Sequence, residues 1–93
     1  MFARILKKFR DCVREGNLVV TQHAFEEMMD DDLLQADVEH CILVGEIVER
    51  QWDKEWNEWK YIIAGKAFDE REIEVVLKSG QGAGAVIITT YIL

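Results

Sequence analysis

Apolar residues recur with a helical period over the first half of the chain. From residue 2 to residue 15 they occupy one face with i, i+3, i+4 and i+7 spacing, which predicts an amphipathic helix that ends at Gly16. A second helix is predicted over about 22–31, because Thr21 is a suitable N-cap and an apolar stripe follows it. A third helix is predicted over about 35–44, where apolar residues recur again before a closing glycine.

After Gly45 the pattern changes to an alternation of apolar and polar residues, which is typical of strands. The alternation predicts four strands. They run over about 47–52, 59–64, 72–77 and 86–92. The links between successive strands are short, so an antiparallel meander is favoured. Residues 18–20 are interpreted as a short extended approach to the second helix.

The whole pattern predicts an α+β domain in which two to three N-terminal helices pack on one face of a four-stranded antiparallel sheet. A chain of 93 residues is long enough for one domain with a core of its own. We therefore predict a single domain over residues 1–93, with helices over about 2–44 and the sheet over about 46–92.

Charge is distributed unevenly along the chain, whose formal net charge is -7. Residues 1–14 hold five cations and one acid, whereas residues 26–58 hold twelve acids and two cations. Nucleic-acid binding gains affinity from Lys and Arg, so this balance gives RNA only weak support as a partner. It favours a basic protein partner instead, and the complementary charges of the first helix and the middle of the chain favour a homodimer.

The two cysteines, Cys12 and Cys41, fall on predicted apolar helix faces, which indicates buried thiols in a reducing compartment. No segment approaches the ~18 consecutive apolar residues of a membrane span, so we expect a cytoplasmic protein with no membrane partner. The acids and histidines lack the spacing of calcium loops and zinc sites, and no nucleotide-binding motif is present. No metal or cofactor is therefore predicted.

His23 is the first candidate for chemistry, because it falls in the first turn of the second predicted helix. The positive end of the helix dipole disfavours a charged imidazole and would keep it available as a neutral base. The alternative is a histidine that hydrogen-bonds locally and helps to cap the helix. Thr89 and Tyr91 are further candidates, and the alternation predicts that they lie on the same strand face as Ile87. They are suitable donors for a phosphate, and they are also ordinary strand formers.

Three tryptophans, Trp52, Trp56 and Trp59, cluster in a polar stretch between two predicted strands. Trp59 is expected in the core. Trp52 and Trp56 are expected near a hairpin tip, where exposed tryptophans often anchor protein interfaces. Acids on both sides of them disfavour stacking on nucleic acid. We therefore interpret Trp52 and Trp56 as interface or dimer residues, with packing within the hairpin as the alternative.

Five short motifs occur in an order that resembles a known bacterial family. They are Thr-Gln-His-Ala at 21–24, Asp-Val at 37–38, Gly-Glu-Ile-Val-Glu at 45–49, Trp-Lys-Tyr-Ile-Ile-Ala-Gly at 59–65 and Val-Ile-Ile-Thr-Thr-Tyr at 86–91. Their order and spacing, over about residues 18–92, are similar to those of the domain-of-unknown-function family numbered 4258. That family is in turn similar to the RelE and barnase-like toxin ribonucleases of toxin–antitoxin systems.

The resemblance implies two N-terminal helices on a four-stranded antiparallel sheet that carries an RNA-cleaving cleft. It implies His23 as general base or acid, acting with Thr89 and Tyr91 of the C-terminal motif. Lys60, Arg71 or Lys78 would compensate from the sheet for the arginines that the family commonly carries on its second helix, and Lys60 and Arg71 are the candidates for phosphate binding. An antitoxin is the partner that such a toxin would have.

The chain departs from the family on the second helix, where the common pattern reads H-A-x-x-R-M-x-x-R. Both arginine positions are acids here, Glu27 and Asp31, so two cations become anions beside the expected phosphate site. The first hypothesis is therefore a RelE-like protein-interaction module whose nuclease activity is lost or altered. The alternatives are a metal-independent ribonuclease toxin that uses His23, and a domain that binds a small ligand between the helices and the sheet.

Overall fold

The computed structural model describes residues 1–82 and 84–93, which form three helices and five strands. The helices α1 to α3 are N-terminal and four of the strands follow them, so the predicted α+β class is confirmed. No helix of these residues is both long enough and apolar enough to span a membrane. In chain order the elements are α1 (Ala3–Glu15), β1 (Leu18–Val20), α2 (Gln22–Asp30), α3 (Gln35–Val44), β2 (Glu46–Asp53), β3 (Glu58–Lys66), β4 (Glu72–Ser79) and β5 (Ala85–Ile92).

The sheet has five strands rather than the four expected, in the order β1-β5-β4-β3-β2. Strands β2 to β5 form the antiparallel meander that the short links predict. The additional strand, β1, pairs in parallel with β5, from Leu18 opposite Ala85 to Val20 opposite Ile87. Three residues are too few to show an alternation, and their partner strand is distant in sequence. The sequence pattern therefore indicated only an extended approach.

The helices cover one face of the sheet, as predicted, and the core lies between them and the sheet. Alternate residues of the central strands face the helices, and each helix contributes an apolar stripe. The largest fully buried apolar side chains are Phe9, Val38, Ile42, Ile63, Ile73, Val75, Leu77 and Ile87. Cys12 and Cys41 are buried thiols without a disulfide, as predicted. Burial raises the pKa of Cys41 to about 12.

Helix α3 approaches β3 very closely at its C-terminal end. A Cβ placed on Gly45 would lie 2.6 Å from the carbonyl oxygen of Cys41 and nearer still to a carbonyl oxygen of β3. Arg10 of α1 binds two carbonyl oxygens at this end. Its Nε donates to Ile42 of α3 at 3.1 Å, and its Nη2 donates to the C-cap Gly45 at 2.8 Å. The end of α3 is therefore held between α1 and the sheet.

Candidate functional site

Thr21 joins the start of α2 to the edge of β5. It is the N-cap, as predicted, because its Oγ1 accepts the backbone N–H of Ala24 at 3.2 Å. The same hydroxyl donates to the carbonyl oxygen of Ile87 at 2.9 Å, and the backbone N–H of Thr21 donates to that oxygen at 3.1 Å. Since β1 ends at Val20, these bonds cover β5 beyond the point where its neighbouring strand stops.

His23 is the second residue of α2, and 67% of its side chain is exposed. Its Nε2 lies 3.3 Å from Oε1 of Glu27, one helical turn further on. The same Glu27 oxygen accepts the backbone N–H of Thr90 in β5 at 3.1 Å. Glu27 therefore stands between the candidate base and the sheet, and it covers a further part of the β5 edge. The catalytic role assigned to His23 from the sequence stays a prediction.

A β-bulge changes the face of the sheet on which the C-terminal motif lies. Ile87 is opposite Leu77, but the next pair is Thr89 opposite Val76, so β5 has one extra residue at this point. Ile87 and Leu77 are buried beneath the helices, whereas Thr89 and Tyr91 lie on the face without helices. The expectation that Thr89 and Tyr91 share a face with Ile87 is therefore wrong, because an alternation in sequence does not reveal a bulge.

Tyr91 contacts a carboxylate on the face without helices. Its hydroxyl donates to Glu74 of the neighbouring strand β4, so it lies across the sheet from His23. The hydrogen bond to Glu74, with burial and the charges of nearby acids as further causes, raises the pKa of Tyr91 to about 12. The residues that the sequence suggested as catalytic, His23, Thr89 and Tyr91, are thus divided between two sides of the sheet.

Tyr91 should ionise about two pH units later than an ordinary tyrosine. Because the pKa is raised in the folded state, the contact with Glu74 stabilises the fold up to about pH 10, and this contribution is lost as the pH rises towards about 12. We expect the ultraviolet absorbance of phenolate to show a late component that is missing in Tyr91→Phe and moves to lower pH in Glu74→Ala. A wild-type titration without this late component would contradict the contact.

The residues assigned to phosphate binding, Lys60 and Arg71, lie at opposite ends of the β3–β4 hairpin. Arg71 closes the C-terminus of α2, where Nη1 donates to the carbonyl oxygen of Asp31 at 2.6 Å and Nη2 donates to that of Asp32 at 2.9 Å. The sequence analysis did not assign this role to Arg71. The acids at the end of α2 could have indicated it, because a helix C-terminus favours a nearby cation. Lys60 pairs with Asp53 at 3.7 Å on the face without helices. Lys60 and Arg71 therefore do not lie together, and their assignment to phosphate binding stays a prediction.

The face of the sheet without helices carries lysines that are paired with acids. Lys78 Nζ is 2.6 Å from Oε1 of Glu58, so this lysine, like Lys60, is paired with an acid. Glu49 and Glu74 place further negative charge near Tyr91. A phosphodiester that approached Tyr91 would therefore meet carboxylates at close range, which is an unfavourable setting for a polyanion.

The tryptophans lie at the free end of the β2–β3 hairpin. Trp52 and Trp59 are a cross-strand pair with ring centroids 5.1 Å apart and planes at 70°, and Arg50 Cζ lies 3.9 Å from the centroid of Trp59. Trp56, in the turn, is also exposed. The expectation that Trp59 belongs to the core is wrong, since 38% of it is exposed. Phe9 of α1 and Phe2, which precedes α1, contact Tyr61, two residues further along β3.

The two edges of the sheet differ in how they are covered. At one edge, β1 and then Thr21 and Glu27 of α2 hydrogen-bond along β5. At the other edge, no strand within residues 1–82 and 84–93 pairs with the outer side of β2. Six of the eight residues of β2 are exposed, and a bulge at Val48 interrupts its pairing with β3. The two edges therefore differ in length: one is the three-residue β1, with Thr21 and Glu27 continuing along β5, and the other is the eight-residue β2.

A groove of about 600 Å³ lies between the end of α3 and the turn after β3. His40 and Phe68 form one wall of it, with ring centroids 4.3 Å apart and planes at 22°. Val44 and Val48 add apolar surface. This groove is where the small-ligand alternative would place its ligand. In the part of the chain that the structure describes, no three His, Cys, Asp or Glu side chains are placed to hold a metal ion.

The family comparison covers nearly all of the fold described above. The model of the family described as a domain of unknown function (DUF4258) matches residues 20–92, which include every element from α2 to β5. Comparisons with curated proteins and with solved structures return no significant match. The matched span contains the α2 cap, the meander and the C-terminal motif on which the resemblance was based. The chain therefore belongs to the DUF4258 family.

Proposed function

We propose that this domain is a protein-interaction module that joins two copies of itself through the edge of β2 and the tryptophans of the β2–β3 hairpin. The observation that carries the proposal is the difference between the two edges of the sheet. One edge ends in the short β1, with Thr21 and Glu27 continuing along β5, whereas no strand of the described residues pairs with the outer side of the eight-residue β2. An uncovered edge strand is a template for pairing with another chain.

The side chains of β2 support contact with another protein. Trp52 is exposed beside Trp59, and Arg50 stacks on Trp59. Tryptophan and arginine are among the residues that most often supply the binding energy of an interface. Val48 adds an exposed apolar side chain at the bulge. A monomeric protein usually protects such an edge with lysines, a bulge or a covering segment. β2 contains no lysine, and its bulge at Val48 leaves a regular segment from Glu49 to Asp53.

A second copy fits the order of side chains along β2. Antiparallel pairing of two β2 strands about Gln51 places Arg50 of each copy opposite Trp52 of the other, on the face that carries the helices. The cation–π contact of Arg50 is thereby extended to a second indole. Glu49 then faces Asp53 of the other copy, whose charge a lysine already offsets. The sheets become continuous across a two-fold axis, the commonest symmetry of homo-oligomers.

The contacts of the candidate catalytic residues support an interaction module over a ribonuclease. His23 contacts Glu27, and Tyr91 donates to Glu74 on the opposite face. A general base and its partners must converge on one reacting group within hydrogen-bonding reach. The acid at position 31 adds to the negative charge of α2. Both observations favour a function that needs neither a phosphate site nor a shared catalytic cleft.

Light scattering after size exclusion tests the proposal with one substitution at the β2 edge. We expect the wild-type chain to have the mass of a dimer at micromolar concentration and Trp52→Lys to have the mass of a monomer. The lysine removes the exposed indole and adds a charge that opposes edge pairing. Loss of this central contact should weaken the dimer by at least about tenfold.

Phe68→Lys is the matched control, because Phe68 is also exposed but lies in the turn between β3 and β4. This variant should keep the mass of the dimer. A monomeric wild-type chain, or a dimer that Trp52→Lys leaves intact, would reject the proposal. Circular dichroism establishes that each variant is folded before its mass is compared.

A further inference from the structure

An apolar surface that the fold does not use lies where α2 meets α3. It consists of Phe25, Met29 and Leu34, which are 51%, 63% and 71% exposed, and we call it the α2–α3 corner. Phe25 and Met29 are one helical turn apart on α2. Met29 and Leu34 line a depression of about 480 Å³, whose floor includes the buried Met28 and Leu33. Met29 and Leu34 therefore border a shallow groove, and Phe25 extends the exposed apolar surface by one turn of α2.

The fold gives no reason for these side chains to be apolar. The buried stripe of α2 is formed by Ala24 and Met28, and Phe25 and Met29 lie beside it on the exposed side. Leu34 precedes α3, and Asp37 accepts the backbone N–H of Leu34, so the leucine side chain has no capping role. Contiguous apolar exposure without an internal use is typical of a surface that binds a partner.

Acidic side chains predominate around the α2–α3 corner. Glu26 and Asp30 flank the apolar pair on α2, and Asp32 lines the groove. No Lys or Arg occurs between Gly16 and Glu49. Arg71, which reaches this helix end from β4, binds backbone carbonyl oxygens there, and its carboxylate partner is Asp69. Within residues 1–82 and 84–93, no Lys or Arg forms an ion pair with Glu26, Asp30 or Asp32, so these carboxylates are suited to a partner that carries positive charge.

We propose that the α2–α3 corner binds an amphipathic helix of another protein whose apolar face is flanked by Lys and Arg. Apolar anchors at helical spacing in a groove are the usual basis of helix recognition, and a methionine adapts to anchors of different shape. Acids at the rim would steer basic residues into place. This surface is separate from the edge of β2, so the proposal does not depend on self-association through that edge.

A second copy of the chain is a poorer occupant than a separate helix. Helix α1 is the basic helix of this chain, with exposed Arg4 and Lys7. Its apolar face, which includes Phe9 and Cys12, is already buried in its own core. Another copy could therefore offer charges to the corner, but α1 has no apolar face left to cover Phe25, Met29 and Leu34.

Two peptides of identical composition test the proposal by fluorescence anisotropy. Each has about 18 residues of leucine and lysine, one with a helical period that separates the two residue types and one scrambled. We expect the amphipathic peptide to bind at least about tenfold more tightly than the scrambled one. Met29→Gln combined with Leu34→Gln should weaken its binding by about tenfold or more, whereas Val44→Gln, at an exposed position on α3, should not.

A second variant separates the charges from the apolar contact. Asp30→Asn combined with Asp32→Asn should weaken binding of the amphipathic peptide at low salt, and the difference should shrink at high salt. Asparagine suits position 32, whose φ is 52°. Equal binding of both peptides, or full binding by Met29→Gln with Leu34→Gln, would overturn the proposal. If those two substitutions instead convert a dimer to a monomer in light scattering, a second copy occupies the corner and the proposal is wrong.

Discussion

Replacing Gly45 with alanine should destabilise the protein by about 3 kcal/mol or more, a large part of the stability of a domain of this size. The new Cβ would lie 2.6 Å from the carbonyl oxygen of Cys41 and nearer still to that of Ala64. Both oxygens belong to fixed backbone, since Cys41 accepts the N–H of Gly45 at 2.8 Å and Ala64 is paired with Glu46. Neither can move without separating α3 from the sheet. Urea unfolding followed by circular dichroism measures the loss.

Gly16→Ala is the matched control for this experiment. Gly16 ends α1 with a φ of 73°, and a Cβ there meets no atom within 4 Å. Alanine at this position carries only the strain of the left-handed conformation, about 1 kcal/mol. If Gly45→Ala unfolds at the same urea concentration as Gly16→Ala, Gly45 does not lie in close contact with the backbone of Ala64.

Glu27→Ala should lower the free energy of unfolding by about 1–3 kcal/mol, because the N–H of Thr90 loses its acceptor. Glu27→Arg should cost as much, since a guanidinium has no acceptor atom. Glu27→Gln keeps a carbonyl oxygen and should cost less. Urea unfolding gives the energies, and hydrogen exchange at the Thr90 amide reports on the bond itself.

His23→Ala distinguishes the contact of Glu27 with the edge of β5 from its contact with His23 on α2. The His23 side chain is mostly exposed, so its removal should change the free energy of unfolding by less than about 0.5 kcal/mol. The bond between Glu27 and Thr90 should remain. If His23→Ala and Glu27→Ala destabilise the protein equally, the histidine holds Glu27 in position and the contact with β5 is not the source of the stability.

The long periodic elements were predictable because each repeats its pattern several times. Helix α1 spans 13 residues and presents its apolar face more than three times, so its face and its end were both readable from the sequence. β1 has three residues and gave no such repeat. The register of β5 could not be predicted either. Its extra residue between Ile87 and Thr89 moves each later side chain to the opposite face of the sheet.

The candidate site was predictable only where its contacts are local. Thr21 was identified as an N-cap because its partner, Ala24, is three residues away. The contact from Glu27 to Thr90 spans 63 positions, and that from Arg71 to Asp31 spans 40. Such pairs depend on how the sheet is assembled, which no local pattern encodes. The sequence therefore identified α2 as a candidate functional helix. The contacts that its acidic C-terminal half makes with distant residues could be seen only in the folded structure.

The parallel pairing of β1 with β5 fixes the order in which the domain can be completed. β1 and the cap of α2 bind residues of β5, which leaves the ribosome after every other element of the domain. Until then the nascent chain exposes Leu18 and the apolar stripe of α2, and closing contacts between such distant segments is slow. A chain interrupted before β5 would leave both β1 and α2 without a partner. The early and late segments of the domain are therefore expected to fold, or to be degraded, together.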